Sequence, residues 1–193
     1  MARSFANASS EYLRVSSAVV TATPLTLACW FNVNNVTAEH TLISICDDAT
    51  NTNMFALNAS GVQAGDPVRA YATTGVGAFA VTTTGYTAST WHHAAGVFTS
   101  STDRAAFIDG GSKGTATDDL TPTGLDRTAI AVLDRLSPAS YVDGEIAEAA
   151  IWDAALTDGE VASLAAGYSP LLIRPTSLKA YWPLDRDWET TKR

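Results

Sequence analysis

Three acidic residues late in the chain have the spacing nearest to that of a glycosidase. Asp143, Glu145 and Glu148 fall within one strand-like segment, and a retaining glycosidase needs two carboxylates about 5–5.5 Å apart. Alternate residues of a strand share a face, so Asp143 and Glu145 are predicted to lie together. The next residue on that face is Ala147, and Glu148 is expected to point the opposite way. We therefore predict no catalytic residues and keep a glycoside hydrolase only as a remote alternative.

Histidines and cysteines, the usual metal ligands and nucleophiles, are few. His92 and His93 are adjacent, so on a strand they face opposite sides and do not hold one metal together. His40 is predicted to lie in a different loop, and no metal site is assigned. Cys29 and Cys46 are predicted to be free buried thiols rather than a disulfide pair.

One loop has the oxygen-rich composition of a calcium site. It carries Asp47, Asp48, Asn51 and Asn53, whose side-chain oxygens suit Ca²⁺. The spacing is not that of a defined calcium loop, and solvated turn residues account for it equally well. We predict no cofactor, and leave Ca²⁺ near Asp47 and Asp48 as an open alternative. The acidic pair at 118–119 is predicted to be a solvated turn.

Four tyrosines in or near loops are candidates for stacking on a sugar ring. They are Tyr71, Tyr86, Tyr141 and Tyr168, and each is also compatible with an ordinary place at the rim of the fold. No ligand-binding residue is assigned on this basis.

The composition excludes several classes of protein. With 193 residues the chain suits one domain. A net charge of −8 argues against binding to nucleic acid or to an anionic membrane, and 46% hydrophobic against 17% charged residues argues against disorder. The 33 alanines, 25 threonines and only three lysines indicate β-structure rather than exposed amphipathic helices.

Short strands separated by Gly, Pro, Asn and Asp dominate the pattern, which is typical of an all-β sandwich. One helix is predicted near 158–166, with Thr157 as its N-cap, Glu160 completing a capping box and Gly167 ending it. It is expected to cover one open end of the sandwich. The strands are predicted at 25–31, 41–46, 53–58, 67–73, 91–99, 104–108, 128–133 and 144–152, and a last apolar run follows at 178–184.

Three stretches together resemble the laminin-G-like or concanavalin-A-like superfamily. They are PLTLACWF at 24–31, WHHAAGVF at 91–98 followed by AFIDG at 106–110, and GEIAEAAIWDAALTDGEV at 144–161. The resemblance covers roughly 4–167 and implies a two-sheet antiparallel jelly-roll β-sandwich. Trp30, Trp91 and Trp152 are then expected to fill its core. We predict a single domain at 1–184 and a C-terminal tail at 185–193.

Residues 180–184, AYWPL, resemble a feature of bacteriophage-encoded members, and the chain shows no secretory signal. The main functional prediction is a non-catalytic virion structural module, a capsid decoration or tail-associated protein with weak glycan binding. Its partners would be the major capsid protein or other virion proteins, and it would form a homo-oligomer on the virion surface. Residues 168–193, with Trp182 and Trp188, would be a docking arm, unless Trp182 closes the core. The alternative prediction is an extracellular carbohydrate-binding or adhesion module.

Overall fold

The computed structural model describes residues 2–184, which fold into two antiparallel sheets and one α-helix. The strands and the helix are β1 (Arg3–Phe5), β2 (Leu13–Val15), β3 (Leu25–Val33), β4 (Glu39–Cys46), β5 (Asn53–Ser60), β6 (Pro67–Thr74), β7 (Gly77–Gly85), β8 (His92–Ser100), β9 (Asp103–Ile108), β10 (Gly111–Ala116), β11 (Arg127–Ile130), β12 (Gly144–Trp152), α1 (Asp158–Ala165) and β13 (Leu178–Trp182).

Sheet A has seven strands in the order β1–β12–β3–β8–β9–β10, with β13 also paired to β12. Strands β1 and β13 lie end to end along one edge of β12, because β1 pairs with its first half and β13 with its second. Sheet B has six strands in the order β2–β11–β4–β5–β6–β7. The predicted all-β jelly-roll sandwich is confirmed. The sequence reading missed β1, β2, β7 and β10.

The main core lies between the two sheets. Strand β3 shows why, since Leu25, Leu27, Cys29 and Phe31 alternate toward it and are fully buried. Burial raises the pKa of the Cys29 thiol. Cys46 packs in a separate cluster, and both cysteines are free as predicted.

A second apolar cluster covers part of the outer face of sheet A. Val161 and Leu164 of α1 pack there against Val97, Phe107 and Trp152. The helix begins as predicted, because the Thr157 side chain accepts from the Glu160 N–H and the Glu160 carboxylate accepts from the Thr157 N–H. Its predicted place over an open end of the sandwich is wrong. Strands β8, β9 and β12 carry apolar side chains on the outer face of sheet A, and α1 shields these side chains from water.

The C-terminal segment adds the last strand to sheet A. Tyr181 and Trp182 pair with Ala150 and Ala149 of β12. Trp182 packs against the main core, so residues up to 184 belong to the sandwich rather than to a free arm. Trp188 and the predicted tail lie outside the described residues.

Candidate functional site

A groove crosses the part of the outer face of sheet A that α1 leaves open. It consists of two adjoining recesses that share Trp30 and Glu148. The inner recess has a volume of about 340 Å³ and is lined by Ala28, Trp30, His93, Glu148, Trp152, Leu164, Gly167, Tyr168, Ser169, Pro170 and Tyr181. The outer recess has a volume of about 540 Å³ and is lined by Ala2, Trp30, Trp91, Glu145, Ala147 and Glu148.

Two tryptophans form the aromatic part of this groove. Trp30 points outward because its neighbours Cys29 and Phe31 point into the core, and its ring meets His93 edge-on at 5.5 Å. Trp91 immediately precedes β8 and is 39% exposed. The expectation that Trp30 and Trp91 fill the core is wrong. Of these three tryptophans, Trp152 alone is fully buried.

A β-bulge brings two carboxylates to the groove. The register between β12 and β3 shifts after Ala147, and Glu148 adopts a positive φ of 53°. A bulge inserts one extra residue, so Ala147 and Glu148 both face outward before Ala149 returns to the core. The prediction that Glu148 points away from Glu145 is therefore wrong. Asp143, the predicted partner of Glu145, does not line either recess.

The Glu148 carboxylate is oriented by the last strand. The Tyr181 hydroxyl donates to Glu148 Oε2 at 2.6 Å, and the Glu148 N–H donates to the Pro183 carbonyl at 3.1 Å. The Glu145 side chain makes no hydrogen bond or ion pair with any other residue in 2–184. Its carboxylate is thus free to meet a ligand within this part of the chain.

His93 lies at the floor of the inner recess. Its side chain is 2% exposed, and Nδ1 has no hydrogen-bond partner in the described chain. Burial disfavours the charged ring and lowers the pKa of His93 to about 4, against a smaller opposing effect of Asp109. The ring is therefore neutral at pH 7, with one nitrogen able to accept a hydrogen bond.

The His93 pKa predicts a loss of stability in mild acid. A folded-state pKa of about 4, below the ordinary histidine value of 6.5, means that the unfolded chain takes up the proton first as pH falls. The part of the free energy of unfolding that depends on the neutral His93 ring is intact above pH 6.5. It should decrease by about 2 kcal/mol by pH 4.5. NMR titration of the three histidine rings measures the pKa, and urea unfolding at both pH values measures the cost. The difference between the two pH values should shrink by this amount in His93→Gln, while buried His40, whose pKa is also lowered, still contributes. A His93 ring titrating near 6.5 would contradict the buried placement.

The other histidines have structural places. His92 Nδ1 lies 2.8 Å from a carboxylate oxygen of Asp109, and its Nε2 accepts from the Thr87 N–H at 3.1 Å. His40 lies on β4 and not in a loop as predicted; it is fully buried there, and desolvation lowers its pKa. His92 and His93 face opposite sides of β8, as their adjacency predicted.

The segment 167–173 forms a wall of the groove, since its first four residues line the inner recess. The Trp152 indole N–H holds this wall by donating to the Ile173 carbonyl at 2.8 Å. Arg174 joins it to α1 through Glu160, at 2.6 Å. Tyr168 is 59% exposed at the rim of the inner recess.

Only one of the four candidate tyrosines reaches the groove. Tyr168 does so, whereas Tyr71 stacks on Phe79 at 4.8 Å on sheet B. Tyr86 is buried in the core, and Tyr141 packs against another tyrosine at 6.1 Å. The sequence reading missed Trp30, Trp91 and Tyr181 as groove residues. The outward parity of position 30 on β3 is the signal that pointed to Trp30.

The predicted oxygen-rich loop gathers a different set of residues. Carboxylate oxygens of Asp47, Asp48 and Asp126 lie within 4.8 Å of one another. The side-chain oxygens of Asn51 and Asn53 accept hydrogen bonds from backbone N–H groups of neighbouring loops. Asp126 was not predicted.

Internal hydrogen bonds occupy most of this acidic cluster. Asp47 accepts from the Ala49 N–H at 2.9 Å and from the Thr50 hydroxyl at 3.1 Å. Asp48 pairs with Arg127, and its hydrogen bond with the Asp126 carboxyl raises the pKa of Asp48. These bonds brace the loop. At the predicted turn 118–119, the Asp118 side chain is exposed near Arg104.

The architecture and the groove together define a class of protein, a lectin-like jelly roll with an aromatic cleft on one sheet. The chain belongs to the concanavalin A-like lectin/glucanases superfamily, whose family model matches residues 7–162. No curated protein sequence matches it significantly. No helix in residues 2–184 is long and apolar enough to cross a membrane.

Solved structures with the same fold include two that are described with a bound oligosaccharide. Domain 4 of a GH43 extracellular arabinanase from Geobacillus stearothermophilus, in complex with arabinotriose, is 18% identical with a TM-score of 0.70, over 85% of this chain and 76% of that one. The CBM40 of a Ruminococcus gnavus IT-sialidase, bound to α2,3 sialyllactose, is 14% identical with a TM-score of 0.63, over 80% and 96%. A heptameric SAP-like pentraxin from Limulus polyphemus is 15% identical with a TM-score of 0.64, over 82% and 77%.

Proposed function

We propose that this protein is a non-catalytic carbohydrate-binding module and that the groove on sheet A is its sugar site. The observation that carries the proposal is the aromatic pair of half-buried Trp30 and exposed Trp91 beside the carboxylates of Glu145 and Glu148. A sugar ring has an apolar face that stacks on an indole and hydroxyl groups that donate to carboxylates. Aromatic walls with a few convergent polar groups are the usual composition of a ligand cleft.

The similar structures support this proposal. Two of the three named above are enzyme domains described with an oligosaccharide bound, and one of these enzymes, the arabinanase, is described as extracellular. Because these likenesses are distant in sequence, they support the class of ligand and not its identity. We propose an extracellular location on the same ground, in place of the virion surface.

The absence of catalysis is part of the proposal. Glu145 and Glu148 both face the groove and are the residue type that a retaining glycosidase uses. We propose binding without catalysis because the fold is similar to that of two domains described with an intact oligosaccharide bound, one of them a CBM40. Incubation with a panel of β-glucans and arabinans should release no reducing sugar. Turnover that disappears in Glu145→Gln would contradict this.

The test of sugar binding is the substitution Trp91→Ala. Loss of a stacking indole should weaken binding about tenfold or more, which corresponds to about 1.4 kcal/mol or above. A glycan array identifies a ligand, and affinity electrophoresis in that polysaccharide compares the variants.

A matched control is Phe79→Ala on sheet B, since Phe79 is 38% exposed and Trp91 39%. The control variant should bind as the parent does. Equal loss in both variants, or no binding to any glycan on the array, would overturn the proposal.

The virion role predicted from the sequence has no support in the family match or the structures named above, and it stays a prediction. Mass spectrometry of purified particles would test it. The homo-oligomer also stays a prediction, tested by light scattering. We further infer one domain at 1–184 with a tail at 185–193, supported by the main core, which extends from Phe5 to Leu184.

A further inference from the structure

We infer that the groove selects glycans that carry protonated amines, such as a β-1,4-linked glucosamine chain, over neutral and acidic sugars. This inference rests on the proposed function and names the ligand class of the same site. It derives from the charge, the free hydrogen-bonding groups and the aromatic rings that meet in the groove.

The charge of the groove has one sign. Glu145 and Glu148 line the outer recess, and neither recess is lined by a lysine or arginine among residues 2–184. A carboxylate of a uronic or sialic acid would meet two like charges and no cation there. An ammonium group would meet two opposite charges at close range.

The two carboxylates are prepared for a ligand in different ways. Glu148 is held in place by the Tyr181 hydroxyl at 2.6 Å. The Glu145 carboxylate has no hydrogen-bond or ion-pair partner in the described chain. A half-buried carboxylate without a partner gains most from a donor that is itself charged, because such hydrogen bonds are stronger than neutral ones.

The aromatic rings favour the same ligand. Trp30 belongs to both recesses and Trp91 to the outer one. An ammonium group near an indole face is attracted by the ring electrons. A glucosamine unit therefore stacks its apolar face and places its amine between rings and carboxylates.

The buried imidazole supplies an independent observation. His93 is 2% exposed, lines the inner recess and leaves Nδ1 without a partner among the described residues. A buried nitrogen without a hydrogen bond destabilises the protein unless a ligand provides one. The neutral ring accepts from an N–H or O–H of the next sugar unit along the groove.

The experiment compares three hexasaccharides that share a β-1,4 backbone and differ at position 2, with an amine, an acetamide or a hydroxyl group. Isothermal titration calorimetry at pH 6 should give at least about tenfold tighter binding for the amine series. Glu145→Gln should remove about tenfold of that affinity and leave the two neutral series unchanged. Added NaCl should weaken only the amine series.

A control separates a specific contact from the general attraction of a chain with net charge −8. Asp119→Asn removes one exposed charge outside the groove and should change affinity less than twofold. Equal loss in Asp119→Asn and Glu145→Gln would overturn the inference. Equal affinity for all three hexasaccharides would overturn it and leave sugar binding intact. No binding to any of the three would also overturn it, while the glycan array with Trp91→Ala decides the proposed function separately.

Discussion

Replacing Trp152 with alanine is expected to lower the free energy of unfolding by about 3–5 kcal/mol. The indole is fully buried on the outer face of sheet A, against Val161 and Leu164 of α1. Its removal leaves a cavity, and the Ile173 carbonyl loses the hydrogen bond that it accepts from the indole N–H at 2.8 Å. Urea unfolding followed by circular dichroism measures the change without depending on tryptophan fluorescence.

Two further substitutions separate the causes of this effect. Trp152→Phe keeps most of the apolar volume and loses the hydrogen bond, so it should cost about 1–2 kcal/mol. Trp91→Ala removes an indole that is 39% exposed and should change stability by about 0.5 kcal/mol or less. If the free energy of unfolding of Trp152→Ala lies within about 1 kcal/mol of that of the parent, the packing of α1 on sheet A is wrong.

The wall of the groove should respond to the same substitution. Residues 167–173 are joined to the sheet through Trp152 and to α1 through Arg174 and Glu160. Loss of the indole loosens the wall that carries Tyr168. The buried residue therefore connects the second apolar cluster to the shape of the inner recess.

Strand alternation was readable from the sequence wherever it is unbroken. In β3 the apolar series Leu25, Leu27 and Cys29 assigns the inner face correctly, and the outward position of Trp30 follows from it. The expectation that Trp30 fills the core is wrong, because strand alternation and not the residue type decides the face on which Trp30 lies. Large aromatic residues occupy both cores and clefts.

The carboxylate pair was not readable, because it depends on a bulge. The segment around Glu148 contains no glycine or proline that indicates one, yet Glu148 has a φ of 53°. A bulge reverses the face of every residue before it relative to those after it. Alternation therefore paired Glu145 with Asp143, while the backbone pairs it with Glu148.

Features set by neighbouring residues were predictable elsewhere too, whereas contacts between residues far apart in the sequence were not. The Thr157–Glu160 capping box spans four residues, so the start of α1 was predictable, whereas its place on sheet A depends on side chains from distant strands. Asp126 joins Asp48 across 78 residues through the pairing of β11 with β4. No local pattern in the sequence indicates that contact.

Replacing Gly114 with alanine is expected to destabilise the fold by about 3 kcal/mol. Gly114 lies on β10 at an edge of sheet A, and Val81 lies on β7 at an edge of sheet B. A Cβ atom at Gly114 would lie 1.6 Å from the Val81 carbonyl oxygen and 2.5 Å from its carbonyl carbon. Since the obstacle is backbone, no side-chain rotation relieves it, and the two edges must separate.

The matched control lies on the same strand. A Cβ atom at Gly111 would meet nothing within 4 Å, so Gly111→Ala should change stability by about 0.5 kcal/mol or less. Urea unfolding of the two variants compares equal additions of one methyl group at positions three residues apart. Equal effects would contradict the close approach of β10 and β7. A large effect at Gly114 alone would mean that the two sheets are joined at this edge by backbone contact, which the Thr84–Ser112 hydroxyl pair at 2.7 Å supplements.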